Sequence, residues 1–238
     1  MVQIQDILPD SLGTLKFHHV VPVCVDCGLM AYQEALELQV RLHEAVLTGS
    51  MPSVILLVEH PPVITLGLHK EHNMLVLPQK RLDDLGIDVV QVRRGGGGTV
   101  HNPGQLVVYP IIKLQDFGFH VAPFVHYLEQ IAMDVLQHTG VPSGRRNRYP
   151  GLWVEGRKIA SVGIQIARGV SMHGIAINLY NDLGIFGHIV PCGIDGVEMT
   201  SAAREGAHDV PMRQLKEVVQ SSCVSLIPEF VGPRRVST

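Results

Sequence analysis

Long apolar runs are missing from this chain. The longest, Val54 to Val58, is cut off by Glu59 and His60. A membrane-spanning helix needs about 20 apolar residues, so none is expected. A basic excess is missing as well. Nineteen Lys+Arg stand against 22 Asp+Glu, a formal charge of −3, which speaks against a general nucleic-acid binder. Cysteine is scarce: four in 238 residues do not make a disulfide scaffold. The opening stretch MVQIQDILPD carries two acids, no Lys or Arg and no long apolar segment. No secretory signal is expected, and a cytoplasmic, thiol-reducing setting follows. Internal repeats, low-complexity tracts and linker-like compositions are absent too. Residues 1–238 are therefore expected to form a single domain, with a core over about 30–227 and a loose tail over about 228–238. No coiled-coil heptads appear, so a monomer is expected.

What is present is a globular composition, with 46% hydrophobic and 17% charged residues. A chain of this size buries roughly 70% of its unfolded surface. Ala31 to Leu47 reads as a helix, because Ala35, Leu38, Leu42, Ala45 and Val46 share one face. MPSVILLVEH reads as a buried strand bounded by prolines, and Val63 to Gly67 as a further extended piece. Val89 to Arg93 and Leu106 to Ile112 read as strands. Phe124, Leu128, Ile131 and Val135 mark a second helix that Gly140 can end as a C′ residue. Gly151–Val154, Lys158–Ala167 and His173–Leu179 are extended, with a Glu155-Gly156 turn between the first two. Pro211 to Leu226 reads as a closing helix. Helix, strands, helix, strands, helix is the order of a mixed α/β (α+β) fold.

Three stretches can carry chemistry. The first is Arg94-Gly95-Gly96-Gly97-Gly98-Thr99-Val100-His101. Four consecutive glycines stabilise neither helix nor strand, but they let backbone N–H groups approach a ligand. Arg94 would add positive charge at the mouth, and His101 a group that titrates near neutrality. A plain surface loop is the competing reading. The run lacks the P-loop Lys-Ser/Thr ending and the βαβ context of a dinucleotide fingerprint. The second stretch is Gly156-Arg157-Lys158-Ile159-Ala160-Ser161-Val162-Gly163. A lysine set among apolar groups has its charged form disfavoured and can move protons near neutral pH. A hairpin-end lysine with its head in water fits the same pattern. The third is Pro191-Cys192-Gly193. A turn cysteine becomes a nucleophile when a neighbour lowers its pKa, and otherwise is a small buried residue. Cys24 and Cys27 have C-x-x-C spacing, but no second ligand pair follows, so no metal site is expected.

Taken in order, these features resemble the lipoyl(octanoyl) transferase family. Five blocks carry the resemblance: LLVEHPPVITLG, RGGGGTVHNPGQLVVYPI, GRKIASVG, HGIAINL and DL-x-x-F-x-x-IVPCGI. They lie within a stretch from about Tyr32 to Pro211. The resemblance implies a fold similar to the catalytic domains of biotin and lipoate ligases. It implies transfer of an octanoyl group from octanoyl-acyl carrier protein to a lysine of lipoyl domains. The implied acceptors are those of 2-oxoacid dehydrogenase complexes and the glycine cleavage H protein, and no cofactor is implied. Cys192 matches the family's acyl-thioester nucleophile and Lys158 its partner lysine. Arg94 to His101, Ser161-Val162-Gly163 and Gly174-Ile175-Ala176 match the stretches that line the acyl pocket. Two positions depart from the family pattern: Val100 stands where the family has Tyr, and Asn102 where it has Gly.

On that basis Lys158 is expected near Cys192, activating it and later accepting a proton from the acceptor amine, a task for which His101 is a lesser candidate. Three rivals use subsets of the blocks. They are an ATP-dependent lipoate or octanoate ligase, a non-catalytic lipoyl-domain binder, and a cysteine hydrolase pairing Cys192 with His101 or His173.

Overall fold

The computed structural model describes residues 21–191 and 196–227. The expected loose tail and Cys192 lie outside the described residues. Strand β1 (Val23–Leu29) leads through helix α1 (Tyr32–Thr48) to β2 (Val54–Glu59), which runs parallel to β1. Then come β3 (Val63–Leu66), the short helix α2 (Gln79–Asp84), β4 (Asp88–Gln91) and β5 (Thr99–His101). After β6 (Gln105–Ile111) and helix α3 (Val121–His138) come four strands: β7 (Gly144–Arg146), β8 (Tyr149–Val154), β9 (Arg157–Ala167) and β10 (Val170–Asn178). Helix α4 (Met212–Ser225) follows them. The large sheet has the order β1-β2-β6-β10-β9-β8-β7, and a small one has the order β4-β3-β5. This is the mixed α/β architecture expected from the element order. No helix among the described residues is long and apolar enough to cross a membrane.

Alternation along β2 and β6 divides the core. Side chains of a strand point to opposite faces in turn. Val54, Leu56 and Val58 pack with Val107, Tyr109 and Ile111 against the α1 face of Tyr32, Ala35, Leu38, Leu42 and Val46. Ile55, Leu57, Leu106 and Val108 point the other way, onto Phe124, Leu128, Ile131 and Val135 of α3 and Leu215 and Val219 of α4. A strand covered on both faces must be apolar throughout, which is why VILLVE reads as an unbroken run. A third cluster, with Ile64, Leu82, Val100, Phe186 and Ile189, covers one face of the small sheet. Each fully buried aliphatic or aromatic side chain contributes about 1.5–3 kcal/mol.

The element ends follow local chemistry. Gly140 takes φ +83° just past α3, as its C′ role requires. Glu155 and Gly156 both have positive φ, 46° and 86°, the geometry of a type I′ turn joining β8 to β9. Helix α4 is fastened to β1. Lys216 Nζ donates to Asp26 Oδ1 at 2.7 Å and lies 3.9 Å from Glu59 Oε1. Tyr127 Oη of α3 donates to the Cys223 carbonyl at 2.6 Å. Sequence periodicity passed over β1, β5, β7 and α2. The first is irregular, with a register shift between Asp26 and Gly28. The other three are short.

Gly174 shows how tightly the central strands approach. A Cβ there would lie 2.0 Å from the Val108 carbonyl oxygen and 2.7 Å from Pro110 Cδ. Both belong to β6 and cannot retreat. Gly174→Ala is expected to cost about 3 kcal/mol in chemical denaturation. Gly187→Ala, where a Cβ meets nothing within 4 Å, should change stability by less than about 0.5 kcal/mol. Equal midpoints for the two variants would refute the steric account.

Candidate active site

A cavity opens between the glycine run, β9 and β10. Of the expected pocket residues, Arg94, Gly96, Gly97, Gly98, Thr99, His101, Ser161, Val162, Gly163, Gly174, Ile175 and Ala176 line it. Gly95 and Val100 are not among the lining residues. The Gly95 N–H is held by the Ile164 carbonyl at 2.9 Å. Alternation on β5 turns Val100 away from its neighbours Thr99 and His101, into the third apolar cluster with Ile64 and Leu66. The other departure from the family pattern, Asn102, ties two loops together. Its Nδ2 donates to the Asp182 carbonyl at 2.8 Å, and its Oδ1 accepts from Asn181 at 3.1 Å.

The glycines answer a steric demand of the chain itself. Built at Gly97, a Cβ would stand 2.4 Å from His72 Cβ, and at Gly67 it would stand 2.2 Å from the Gly96 carbonyl oxygen. Gly96 has φ +82°, a region open to glycine at no steric cost. The Gly98 N–H donates to the His72 carbonyl at 3.1 Å. The run is therefore packed against a 3₁₀ turn at Lys70–His72 and is not a plain surface loop.

Arg94 departs from its expected place at the mouth. It is only 6% exposed, with its guanidinium turned into the loop. Nη1 donates to the Gly95 and Gly97 carbonyls at 3.0 and 2.9 Å, and Nη2 to the Thr65 carbonyl and Oγ1 at 2.9 and 2.7 Å. Carbonyls crowded into a tight loop need a donor, and a five-donor fork satisfies several at once.

His101 does not titrate near neutrality. Burial, then His60, Arg94 and His173, hold its pKa well below the usual histidine value, against the opposing effect of its bond to Gln105. Its tautomer follows from the network. Gln105 Nε2 donates to the Val100 carbonyl and to Asn178 Oδ1, at 3.1 and 2.8 Å. The Gln105 Oε1 is left to accept from His101 Nδ1 at 2.7 Å. His101 is neutral, with the proton on Nδ1.

Four lining residues escaped the pocket assignment from sequence: Tyr32, Val107, Tyr109 and His173. His60, behind them, completes a ring of aromatics. His60 Nδ1 donates to the Met30 carbonyl at 2.7 Å, and its Nε2 accepts from Tyr109 Oη at 2.9 Å. Tyr32 stacks on His101 with ring centroids 5.7 Å apart. His173 sits at φ +56°, a conformation uncommon outside glycine. Its N–H donates to Gln39 Oε1 at 2.8 Å. No spacing rule reaches these residues, because α1, β2, β6 and β10 bring them together only in the folded sheet. The HPP of the LLVEHPP block marked His60 without giving it a role.

Lys158 lies at the start of β9 and is 4% exposed. Its Nζ is 5.4 Å from the Trp153 ring centroid. The expectation of a solvated hairpin-end head does not hold. Its backbone is held by a later segment: Lys158 N–H donates to the Glu198 carbonyl at 2.8 Å, and Thr200 N–H to the Lys158 carbonyl at 2.9 Å. Gly151 makes room for it, since a Cβ there would be 3.0 Å from Lys158 Cε.

Burial holds His60 and His173 down from 6.5 to about 4, with Arg94 adding to the effect on His173. In the unfolded chain both take up protons near pH 6.5. Between pH 6.5 and about 4 the unfolded state is protonated and the folded state is not, so acid favours unfolding. Each such histidine removes about 3 kcal/mol by the bottom of that window. Denaturant midpoints should fall steadily from pH 6.5 to 4. A flat profile down to pH 5 would show that the histidines stay solvated.

The comparisons with known proteins agree with this geometry. A family profile described as the lipoyl protein ligase A/B catalytic domain matches residues 31–224. An octanoyltransferase from Syntrophobacter fumaroxidans is 45% identical over 186 residues, 78% of this chain and 82% of the relative. Among solved structures, the bi-partite lipoate protein ligase of Thermoplasma acidophilum superposes with a TM-score of 0.64 at 10% identity. That match covers 86% of this chain and 82% of the other. A biotin protein ligase from Aquifex aeolicus gives a TM-score of 0.52 at 11% identity, over 88% of this chain and 72% of the other. These two distant structures speak for the fold alone, and it is the biotin/lipoate ligase-like fold. The profile over most of the chain and the close relative together establish that the chain belongs to the lipoyl protein ligase A/B catalytic domain family, and within it to the octanoyltransferases.

Proposed function

We propose that this acyltransferase moves an octanoyl group from octanoyl-acyl carrier protein to a lysine of lipoyl domains, through an acyl-thioester on Cys192 with Lys158 as its proton partner. The observation that carries the reading is the cavity, which has an apolar stretch from Val162 to Ile175 and Ala176 and begins three residues along β9 from Lys158. At ~0.8 kcal/mol per buried methylene, an eight-carbon chain gains several kcal/mol in such a slot.

The chain on either side of Cys192 supports its role. Val190 N–H donates to the Met74 carbonyl at 3.0 Å, on the segment that follows the turn against the glycine run. Glu198 and Thr200 bracket Lys158 by backbone hydrogen bonds. Cys192 falls between these two attachments in sequence. Lys158 takes the thiol proton, and the thiolate attacks the donor carbonyl. Backbone N–H groups hold the tetrahedral oxyanion. Its collapse expels the carrier thiolate, which takes the proton back from Lys158, and leaves octanoyl-Cys192. The acceptor amine then attacks, its proton passes to Lys158, and Cys192 is released as the amide forms. His101 is too weak a base for that last task, being neutral with a pKa well below the usual value. Ser161 Oγ and His173 Nδ1 are buried among the lining residues without hydrogen-bond partners, and both are available to a polar atom of bound substrate.

The acceptors we infer are lipoyl domains of 2-oxoacid dehydrogenase complexes and the glycine cleavage H protein. The same reading takes residues 1–238 as one catalytic domain, working as a cytoplasmic monomer. Intact-protein mass after mixing with octanoyl carrier protein, without ATP or acceptor, tests it. The wild type should gain an octanoyl group removable by hydroxylamine, and Cys192→Ala should gain none. Lys158→Ala should acylate at least about a hundredfold more slowly. No adduct on the wild type with a competent donor would sink the covalent route.

A further inference from the structure

Beside the glycine run, the 3₁₀ turn and its cap bring together the exposed His69 and Glu71 and the half-buried His72. We propose that these three side chains form a binding site for a divalent transition-metal ion, with Zn²⁺ the best fit, on the outer side of the cavity wall. One ligand atom from each lies within 4.8 Å of the others. His69 Nδ1 and Glu71 Oε1 are already 3.3 Å apart. Tetrahedral bonds of about 2.0–2.2 Å place ligand atoms roughly 3.3 Å from one another, so this pair needs no movement. The rings of His69 and His72 lie 5.7 Å apart and 30° from parallel, both on the same side of the turn. The exposed His69 and Glu71 side chains can close the remaining gap to the half-buried His72 by small rotations.

The donor set chooses the ion. Two imidazoles and one carboxylate suit zinc and its borderline neighbours, and leave one position open to water. Calcium and magnesium prefer all-oxygen sets, which this turn does not offer.

The site would not be isolated from the cavity. His69 N–H donates to the Gly96 carbonyl at 3.3 Å, and the His72 carbonyl accepts from Gly98 N–H. Asn73 Nδ2 closes the turn onto the Gly67 carbonyl at 2.7 Å. An ion that fixes the three side chains fixes the turn, and the turn braces the glycines. Metal occupancy therefore reaches the pocket wall through two backbone hydrogen bonds.

The test is a calorimetric titration of the reduced full chain with ZnCl₂, repeated for His69→Ala, His72→Ala, Glu71→Gln and Cys24→Ser. His72→Ala keeps the Cβ and carbonyl that touch the glycine run, so the loop contact survives. A one-to-one binding component should appear in the wild type and in Cys24→Ser, and weaken at least about tenfold when either histidine is lost. Zinc should also slow amide hydrogen exchange across residues 67–74 and at Gly98. Zinc affinity unchanged in both histidine variants, absence of a one-to-one component, or protection confined to other segments would each overturn the assignment.

Discussion

A guanidinium withdrawn from water holds the glycine loop in place. Arg94 donates to the carbonyls of Gly95, Gly97 and Thr65 and to the Thr65 hydroxyl. It thereby joins the loop to the small sheet. Charge-assisted bonds to oxygen are each worth more than neutral ones. They let four consecutive glycines, which pay the largest ordering entropy of any residue, hold one shape. The same buried charge lowers the pKa of His101 and His173 nearby. Burial is the larger cause of the neutral histidines, and Arg94 adds to it while fixing the form of the cavity wall.

The histidines of that lining, His101 and His173, are held neutral, and Arg94 carries its charge. A second chain of bonds runs from Lys158 to His101. The Lys158 carbonyl accepts from Thr200 N–H, and the Thr200 carbonyl from Asn178 Nδ2. Asn178 Oδ1 accepts from Gln105 Nε2, and Gln105 Oε1 from His101. Every donor in this series meets an acceptor, as a buried network requires. The series ties β9, near its start at Lys158, to the strand on which His101 sits. In the proposed reaction Lys158 carries the protons, three residues along β9 from the first β9 residue of the cavity lining.

Much of this was legible in the sequence, for definite reasons. Helix α1 showed its apolar face at helical spacing, and β2 and β6 showed the unbroken apolar runs of strands covered on both sides. The glycine run and the GRKIASVG block marked two walls of the cavity. What was not legible depended on tertiary neighbours. The inward turn of Arg94 follows from carbonyls that Thr65 and the loop supply. Val100 left the pocket because β5 alternates, and three residues are too few to show a period. Tyr32, Tyr109 and His173 come from three separate elements, and His60 from just past the end of β2. Cys192 lies outside the described residues, and its role rests on the resemblance and on the chain that flanks it.

The bond between Lys216 and Asp26 joins residues 190 positions apart. Strand β1 is an edge of the large sheet, held by its parallel ladder to β2 and tied by this bond to α4. A contact of such sequence separation forms late, because loop closure must precede its reward. During synthesis at roughly 5–20 residues per second, β1 waits on the order of ten seconds or more for Lys216 to emerge. For that interval the apolar core face that α4 covers with Leu215, Val219 and Cys223 stands open, and the nascent chain is most in need of chaperone shelter before that helix docks.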